Sequence, residues 1–365
     1  MKKIALPFVF LFFSFLSFAQ IAPKKPVPSE YSWRILQEAG ALYDQNDLSA
    51  ALNLALKAKE NRKEESEWES YVLENALSPF EVRRAGDEFE QVLPVLRERE
   101  QKEALGIINK YLDLYSSERF HNSISELRDY IKAKSVYPEA DFLIGKIYQI
   151  EGEYKAAYDF YDEARRNADF LDIPDQVFDI LYSMADLARL TKNDEEYEQS
   201  LLLVLAKDPS FNDNVLKNAM LKIIDANKKE NVERFFSLFR AESPLTMRAL
   251  YELSKIYEQS GELKSSLFCS ALGSVEGFTH IFNALYEYDQ DYVFTNLSDF
   301  FAKVSYYPDI CQWCLDSNFY DFMIDFGEKA GNRGDLLFAN ELLRVLSVNI
   351  PNQYYQKAAE RKIVK

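Results

Sequence analysis

The chain has 365 residues, of which 47% are hydrophobic, and its formal net charge is −16. The apolar content, with 23 Tyr and 27 Phe, excludes disorder over most of the length. The acidic excess repels phosphate backbones and anionic lipid, so we expect no nucleic-acid partner and no attraction to such a membrane. Glycine and proline number only 11 and 12, which favours long helices over turn-rich β structure.

Residues 1–19 have the pattern of an export signal. Two lysines precede an apolar stretch over positions 4–16, and a small-x-small sequence ends at Ala19. We predict cleavage before Gln20, export into a bacterial periplasm, and no stable membrane insertion afterwards. An uncleaved inner-membrane anchor is the alternative, although the apolar run is short for a membrane span. Residues 20–30 contain three prolines and predict an extended tether.

Helical periodicity begins at Tyr31, and residues 31–135 predict degenerate N-terminal helical repeats. Small and apolar residues recur at fixed offsets at Ala39, Leu42, Asn46, Ala51, Ala55 and Ala58. Asn46-Asp47 predicts a turn between two helices. Over 64–135 the pattern is weak, and we expect one or two units there. Pro94 is predicted to lie in a first helical turn or at a kink.

The pattern is strongest over residues 136–274. Small or apolar marker positions recur at 145, 185, 220 and 254. A further marker, Gly327, lies in a C-terminal repeat over 321–352, which a short tail over 353–365 follows. Small residues at the marker and twelve positions later predict two closely packed helices, and glycine at position seven permits a left-handed turn. Large residues sixteen positions after the marker are predicted to fill the gap to the next hairpin.

Prolines follow three of these units at the same distance. Pro209, Pro244 and Pro351 each lie 24 positions after the marker of their unit (185, 220 and 327). Because proline cannot continue a helix, we predict that it ends the second helix of each unit.

The pattern resembles the tetratricopeptide repeat (TPR) family. The match is most specific in Ile144-Gly145-x-x-Tyr148-x-x-x-Gly152-x-Tyr154-x-x-Ala157-x-x-x-Tyr161-x-x-Ala164. It is good over 250–273 and 323–351, and partial over 32–58 and 181–244. The resemblance implies an all-α fold, a right-handed superhelical solenoid of antiparallel helix pairs. The chain departs from the family pattern at Lys192 and Asn227, which occupy the position of the turn glycine.

The resemblance also implies a concave groove, lined by the first helix of each pair, that binds a protein or peptide partner. Its side chains would lie three positions before and one position after each marker. In this chain those positions are Phe142, Lys146, Tyr182, Asp186, Lys217, Leu221, Tyr251 and Lys255. A merely solvated helix face is the alternative. The Lys/Asn clamp with which some family members hold a C-terminal carboxylate is not reproduced.

Residues 275–320 form a divergent helical segment that contains two cysteines. Cys311 and Cys314 have the C-x-x-C spacing, and Asp309 is predicted to cap a helix whose first turn holds both sulfurs. A helix N-terminus stabilises thiolates, so a thiol–disulfide function is one alternative. The other is a structural pair, because no βαβ context for a thioredoxin-like fold is present. Cys269 is predicted to be buried.

The same segment is rich in aromatic residues, which predict core filling or, as an alternative, a patch that binds a glycan or small ligand. Its rings are Phe278, Phe282, Tyr286, Tyr288, Tyr292, Phe294, Phe300, Phe301, Tyr306, Tyr307 and Trp313.

No hydrolase or phosphate-binding motif is present, and His121 and His280 lack ligand-spaced neighbours. We therefore expect no enzyme activity, cofactor or metal site. The function that we expect is that of an exported, non-catalytic scaffold or adaptor in a cell-envelope assembly.

Overall fold

A computed structural model describes residues 23–76, 79–115, 118–226 and 228–363. Helices and turns account for the regular structure of these residues, with no strand among them, which confirms the all-α prediction. The predicted signal over 1–19 and the turn residue Asn227 lie outside the described residues. Among the helices described, none combines the length and the apolar character needed to cross a membrane. The chain divides into two units, of which the first ends at Ile144 and the second begins at Gly145.

The first unit contains long helices joined by short turns. They are α1 (Ser32–Asp44), α2 (Leu48–Ala76), α3 (Pro79–Glu98), α4 (Lys102–Tyr115), α5 (Glu118–Ala133) and the beginning of α6 (Pro138–Glu151). The predicted turn at Asn46 is confirmed, with a backbone φ of 62°. Helix α2 continues well beyond Ala58, the last residue of the repeat pattern, and packs on α1 and α5. A buried cluster of Ile35, Ala58, Tyr137 and Ala140 forms a core here.

The predicted tether over 20–30 is attached to the first unit at its end. Pro28–Glu30 forms a short 3-10 helix. The backbone carbonyl of Glu30 accepts a hydrogen bond of 2.6 Å from the side chain of Asn61 on α2. The tether prediction is therefore wrong for these last residues.

Pro94 lies inside α3, neither in its first turn nor at its end. The helix begins at Pro79 and continues to Glu98, so Pro94 removes one backbone donor without ending the helix.

The second unit contains the predicted hairpins. After α6 its helices are α7 (Tyr154–Arg166), α8 (Gln176–Leu190), α9 (Asp194–Leu205), α10 (Pro209–Asn212), α11 (Asn214–Asp225), α12 (Asn231–Leu238), α13 (Met247–Gln259), α14 (Leu263–Tyr288), α15 (Leu297–Val304), α16 (Pro308–Asp316), α17 (Phe319–Arg333), α18 (Leu336–Asn349) and α19 (Gln353–Lys362). The markers at 145, 185, 220, 254 and 327 lie on α6, α8, α11, α13 and α17, each the first helix of a pair. Residues 353–365, predicted to be a tail, contain α19, which packs on α17 and α18.

Close packing within a pair occurs where the sequence predicts it. A Cβ atom placed on Gly145 would lie 2.5 Å from the ring of Tyr161, and one on Gly327 would lie 2.8 Å from Leu343. Both large residues are sixteen positions after their marker. They therefore occupy the space above their own marker glycine. Phe236, sixteen positions after the marker at 220, instead lies 5.1 Å from Phe278 of the next pair, which confirms the predicted contact to the next hairpin for that residue.

Two of the three prolines begin a helix. Helix α9 ends at Leu205 and α12 at Leu238, several residues before the proline. Pro209 is the first residue of α10, and Pro244 begins the 3-10 helix Pro244–Thr246. Proline suits a first helical position because the N–H group that it lacks has no partner there.

The helix pairs do not stack strictly in chain order. Helix α9 packs on α13, and α14 packs on α17, so the pairs α8–α9, α13–α14 and α17–α18 follow one another. The intervening pair α11–α12 packs on α14 and α18. Phe235 of α12 lies 5.2 Å from Phe326 and 5.8 Å from Phe338, measured between ring centres. In a regular solenoid each repeat contacts its sequence neighbours, so this arrangement departs from that rule.

Part of the aromatic segment belongs to the core. Helix α14 runs without a break across the predicted boundary between 274 and 275. Phe278 on this helix is fully buried, with ring-centre distances of 4.7 Å to Phe300, 4.9 Å to Phe294 and 5.1 Å to Phe236. Core filling therefore describes four of the eleven rings, the buried Phe278, Tyr292, Phe300 and Phe301, while Tyr286, Tyr288 and Tyr306 are exposed.

A carboxyl group is buried in the same helix. Glu276 has no exposed surface, and Thr246 Oγ1 lies 3.0 Å from its Oε2. Burial, and after it the neighbouring Asp208, raises the pKa of Glu276 well above its usual range. The folded protein therefore holds this proton more tightly than the unfolded chain does.

The substitution Glu276→Gln tests whether the carboxyl group of Glu276 is protonated in the folded protein. Stability should fall as pH rises above the unfolded-state pKa of about 4.3, by up to about 1.4 kcal/mol per pH unit, until the folded-state pKa is passed. Glutamine cannot ionise, so the variant should melt higher than the wild type at pH 8 and equally at pH 4.5. Thermal unfolding of both proteins between pH 4.5 and pH 8 measures this difference in melting temperature. The control is Glu287→Gln, an exposed position of α14. A variant less stable than the wild type at pH 8 contradicts the interpretation.

Gly145→Ala should destabilise the protein by about 1–3 kcal/mol, because the new methyl group overpacks Tyr161. Gly40→Ala is the matched helical control, since a Cβ atom at Gly40 meets nothing within 4 Å. That variant should gain up to about 1 kcal/mol in helix propensity. Urea unfolding distinguishes the two, and equal effects would show that close approach at Gly145 is unimportant.

Candidate interaction surface

The predicted groove residues of α8 make contacts that join two helix pairs. The hydroxyl of Tyr182 donates to the carbonyl of Leu245 at 2.7 Å, and it accepts from the N–H of Ala249 at 3.3 Å. The guanidinium of Arg248 lies 4.9 Å from the Tyr182 ring centre. Burial raises the pKa of Tyr182, so this phenol stays neutral. Tyr182 therefore ties α8 to the beginning of α13.

Asp186 completes this contact. It forms an ion pair with Arg248 and a second with Arg189, the latter at 3.1 Å. All three side chains are partly exposed, so each pair stabilises the fold only modestly. The cluster nonetheless holds Arg248 over Tyr182, with part of the guanidinium open to solvent.

The predicted residues of α13 form a second cluster. The ammonium group of Lys255 lies 3.5 Å from the ring centre of Tyr251, and this ring lies 5.1 Å from that of Phe322 on α17. Lys255 also lies near enough to Asp321 of α17 for its charge to act on the pKa of that carboxyl, although burial dominates and raises it.

The cluster continues onto α19. The hydroxyl of Tyr355 donates to Asp321 at 3.2 Å. Burial, and after it the charge of Asp321, raises the pKa of Tyr355 to about 12. The ring of Tyr354, 74% exposed, lies 5.1 Å from that of Tyr355.

These side chains form a series across α8, α13, α17 and α19. We call it the tyrosine row, which consists of Tyr182, Tyr251, Tyr355, Arg248, Lys255 and Asp321. Arg248 is exposed and the other five members are half-buried, and together they combine aromatic rings with charges of both signs. This composition is typical of protein-binding surfaces, in which Tyr and Arg are enriched.

Three members of the tyrosine row were missed in the sequence. Arg248 and Asp321 each lie six positions before a marker, at Ser254 and Gly327. A position six before the marker lies about one turn beyond the position three before it, on the same helix face. Extending the rule by one turn would have found both. Tyr355 lies on α19, outside the repeat pattern, and nothing in the sequence identifies it.

The other predicted groove residues lie elsewhere. Phe142 is buried in the first unit, and Leu221 is buried in the second. Lys146 is half-buried on α6. The ammonium group of Lys217 lies 4.7 Å from the ring centre of Phe268 on α14. Phe142 and Leu221 are thus unsuited to contact a partner.

The two cysteines of the C-x-x-C sequence are not arranged as predicted. Tyr307 precedes the first residue of α16 and provides no side-chain cap, while Asp309 lies in the first turn and accepts from Tyr288 at 2.6 Å. Cys311 and Cys314 are the fourth and seventh residues of α16, beyond its first turn. Burial raises the pKa of Cys314 to about 12, and burial and then Asp309 raise that of Cys311.

Cys269 is buried, as predicted, and burial raises its pKa to about 12. Near α16, a cleft of about 210 Å³ lies beside His280, Asp309 and Trp313, and the rings of His280 and Trp313 stack at 4.1 Å. Over the part of the chain that the structure describes, no group of three or more His, Cys, Asp or Glu side chains is placed to hold a metal ion.

Comparison with known proteins gives sequence similarity without a function. No protein-family model matches the chain. A relative described as an uncharacterized protein of Treponema pallidum (strain Nichols) is 28% identical over 341 residues, which is 92% of this chain and 91% of that protein. A match of this length includes residues of both units.

We expect both thiols of the C-x-x-C sequence to react slowly with iodoacetamide at pH 7, because little thiolate is present when the pKa is raised. Mass spectrometry of peptides alkylated between pH 6 and 10 measures this for each cysteine. Free cysteine is the reference. Faster alkylation of Cys311 than of the reference at pH 7 would contradict the structure and restore a redox role.

Proposed function

We propose that the protein is an exported, non-catalytic scaffold or adaptor that binds a protein or peptide partner in a bacterial cell-envelope assembly. The observation that carries this proposal is the tyrosine row, which lies across α8, α13, α17 and α19. Export rests on the signal pattern of residues 1–19.

We further propose that the pairs α8–α9, α13–α14 and α17–α18 stack as a TPR-like right-handed superhelix, with the pair α11–α12 packed against it. Support comes from the antiparallel pairs at the predicted markers, the glycine turns, and the contacts of Gly145 with Tyr161 and of Gly327 with Leu343. The first helices α8, α13 and α17 carry most of the row, and this matches the groove that the resemblance implies.

The chemistry of the row suits a peptide better than a small ligand. Its three rings lie on three helices, and each is held by a contact outside its own helix: Tyr182 by Leu245, Tyr251 by Phe322 and Tyr355 by Asp321. Fixed rings lose little side-chain entropy on binding, which favours affinity. The charges of Arg248 and Lys255, in a chain of net charge −16, would select acidic groups of the partner locally.

The raised pKa values of Cys311 and Cys314 disfavour the alternative thiol–disulfide function, because the thiolate is the reactive form. Four of the eleven rings that suggested the glycan alternative for residues 278–320 are buried in the core and are not accessible to a ligand. The remaining space there is the small cleft beside Trp313.

Photo-crosslinking in cells tests the proposal. A crosslinking amino acid at Arg248 or Tyr355 should capture the same envelope protein. Adding Lys255→Glu, which reverses a charge of the row, should reduce this capture. Val215 and Val293 are control positions, 78% and 70% exposed and outside the row. Equal capture from the controls, or capture that Lys255→Glu leaves unchanged, would contradict the proposal.

A further inference from the structure

A second candidate site lies in the first unit, at the start of α1 and the middle of α2. A cleft of about 410 Å³ is lined by Trp33, Trp68, Tyr31, Arg62, Glu65, Glu69, Lys25 and Pro26. Two of the three tryptophans of the chain thus border one cavity. Its volume falls within the range of small-molecule sites, roughly 300–1,000 Å³.

Several of the polar side chains in this cleft are held in place. Both carboxylate oxygens of Glu65 accept from Ser32, one from its backbone N–H at 2.6 Å and one from its hydroxyl at 2.7 Å. The guanidinium of Arg62 lies 4.9 Å from the ring centre of Tyr137. The rim carries two exposed groups of opposite charge, Lys25 and Glu69. The cleft is therefore a preformed cavity with held polar walls and an exposed polar rim.

Trp33 borders a second cleft as well. That cavity, also of about 410 Å³, is lined by Trp33, Arg34, Gln37, Glu38 and Ala41. Trp33 is 50% exposed, although burying so large a ring would be favourable. The guanidinium of Arg34 lies 5.0 Å from the centre of the Trp33 ring and covers one face of it, so a ligand would stack on the other face.

We propose that these two clefts bind a carbohydrate chain, with the open face of Trp33 as the stacking platform for one sugar ring and Trp68 as a platform for another. The apolar face of a sugar ring packs on an indole, while its hydroxyl groups point sideways and form hydrogen bonds with Glu69, Gln37 and Glu38. Repeated rings explain why two similar cavities adjoin one tryptophan. This site is independent of the tyrosine row.

The charge of the first cleft favours a neutral ligand. Lys25 and Arg62 balance Glu65 and Glu69, so the formal charges of the lining sum to zero. A phosphate-bearing nucleic acid would need a net positive surface. A charged peptide segment would gain little steering there. A neutral, hydroxyl-rich chain matches both the charge balance and the aromatic platforms.

Calorimetric titration of the purified full chain tests the proposal with three probes: the hexasaccharides of β-1,4-linked N-acetylglucosamine, β-1,4-linked glucose and α-1,4-linked glucose. At least one should bind with a Kd below about 1 mM. Trp33→Ala should weaken binding about tenfold or more, the loss expected for one stacked ring. Trp33→Phe should retain part of it, and Glu69→Gln should have a smaller effect.

Trp313→Phe, in the second unit, is the matched control and should bind like the wild type. Thermal unfolding of Trp33→Ala should match the wild type, because the ring is half exposed. The proposal is overturned if no hexasaccharide binds more tightly than about 1 mM, if Trp33→Ala binds equally, or if Trp313→Phe alone loses binding. Binding of decaproline, in place of sugar, at Trp33 would assign the clefts to a peptide and overturn it too. None of these results bears on photo-crosslinking at Arg248 or Tyr355.

Discussion

Close approach of two helices at positions without a large side chain is the constraint on which the second unit depends. Tyr161 occupies the space above Gly145, and Leu343 the space above Gly327. The same device operates between pairs, where the ring of Phe322 on α17 lies against Gly273 on α14. Because Phe322 also contacts Tyr251, this packing fixes how α13 and α17 face each other. The tyrosine row is thus a consequence of the packing beneath it.

The departures from a regular repeat have a common cause in the length of α14. This helix continues to Tyr288, far beyond the end expected for a second helix. Its extension carries Phe278, around which Phe236, Phe294 and Phe300 assemble. Phenylalanines then replace small residues as the packing elements, which accounts for the loss of the pattern over 275–320. The pair α11–α12 contributes Phe235 and Phe236 to this core. It therefore does not lie between α8–α9 and α13–α14, which pack directly on each other.

Local features were predictable from the sequence, and features that depend on helix length or on distant contacts were not. The small residues at 145 and 327 and the turn glycines identified the pairs, because each concerns residues a few turns apart. The contact of Tyr161 with Gly145 was not predicted, since spacing alone does not say which of two neighbouring surfaces a ring will contact. Trp68 lies on the part of α2 beyond the repeat pattern, so its proximity to Trp33 could not be inferred. Asp309 failed as a cap because Pro308 starts the helix one residue earlier.

We propose that the surface across α8, α13, α17 and α19 binds an envelope protein. Calorimetric titration of the captured partner with Lys255→Glu and with Lys264→Glu tests it most directly, since both variants change the charge equally. Lys264 is exposed near the start of α14, outside the tyrosine row. We expect Lys255→Glu to weaken binding about tenfold or more and Lys264→Glu to leave it unchanged. Equal affinities for the two variants would contradict the claim.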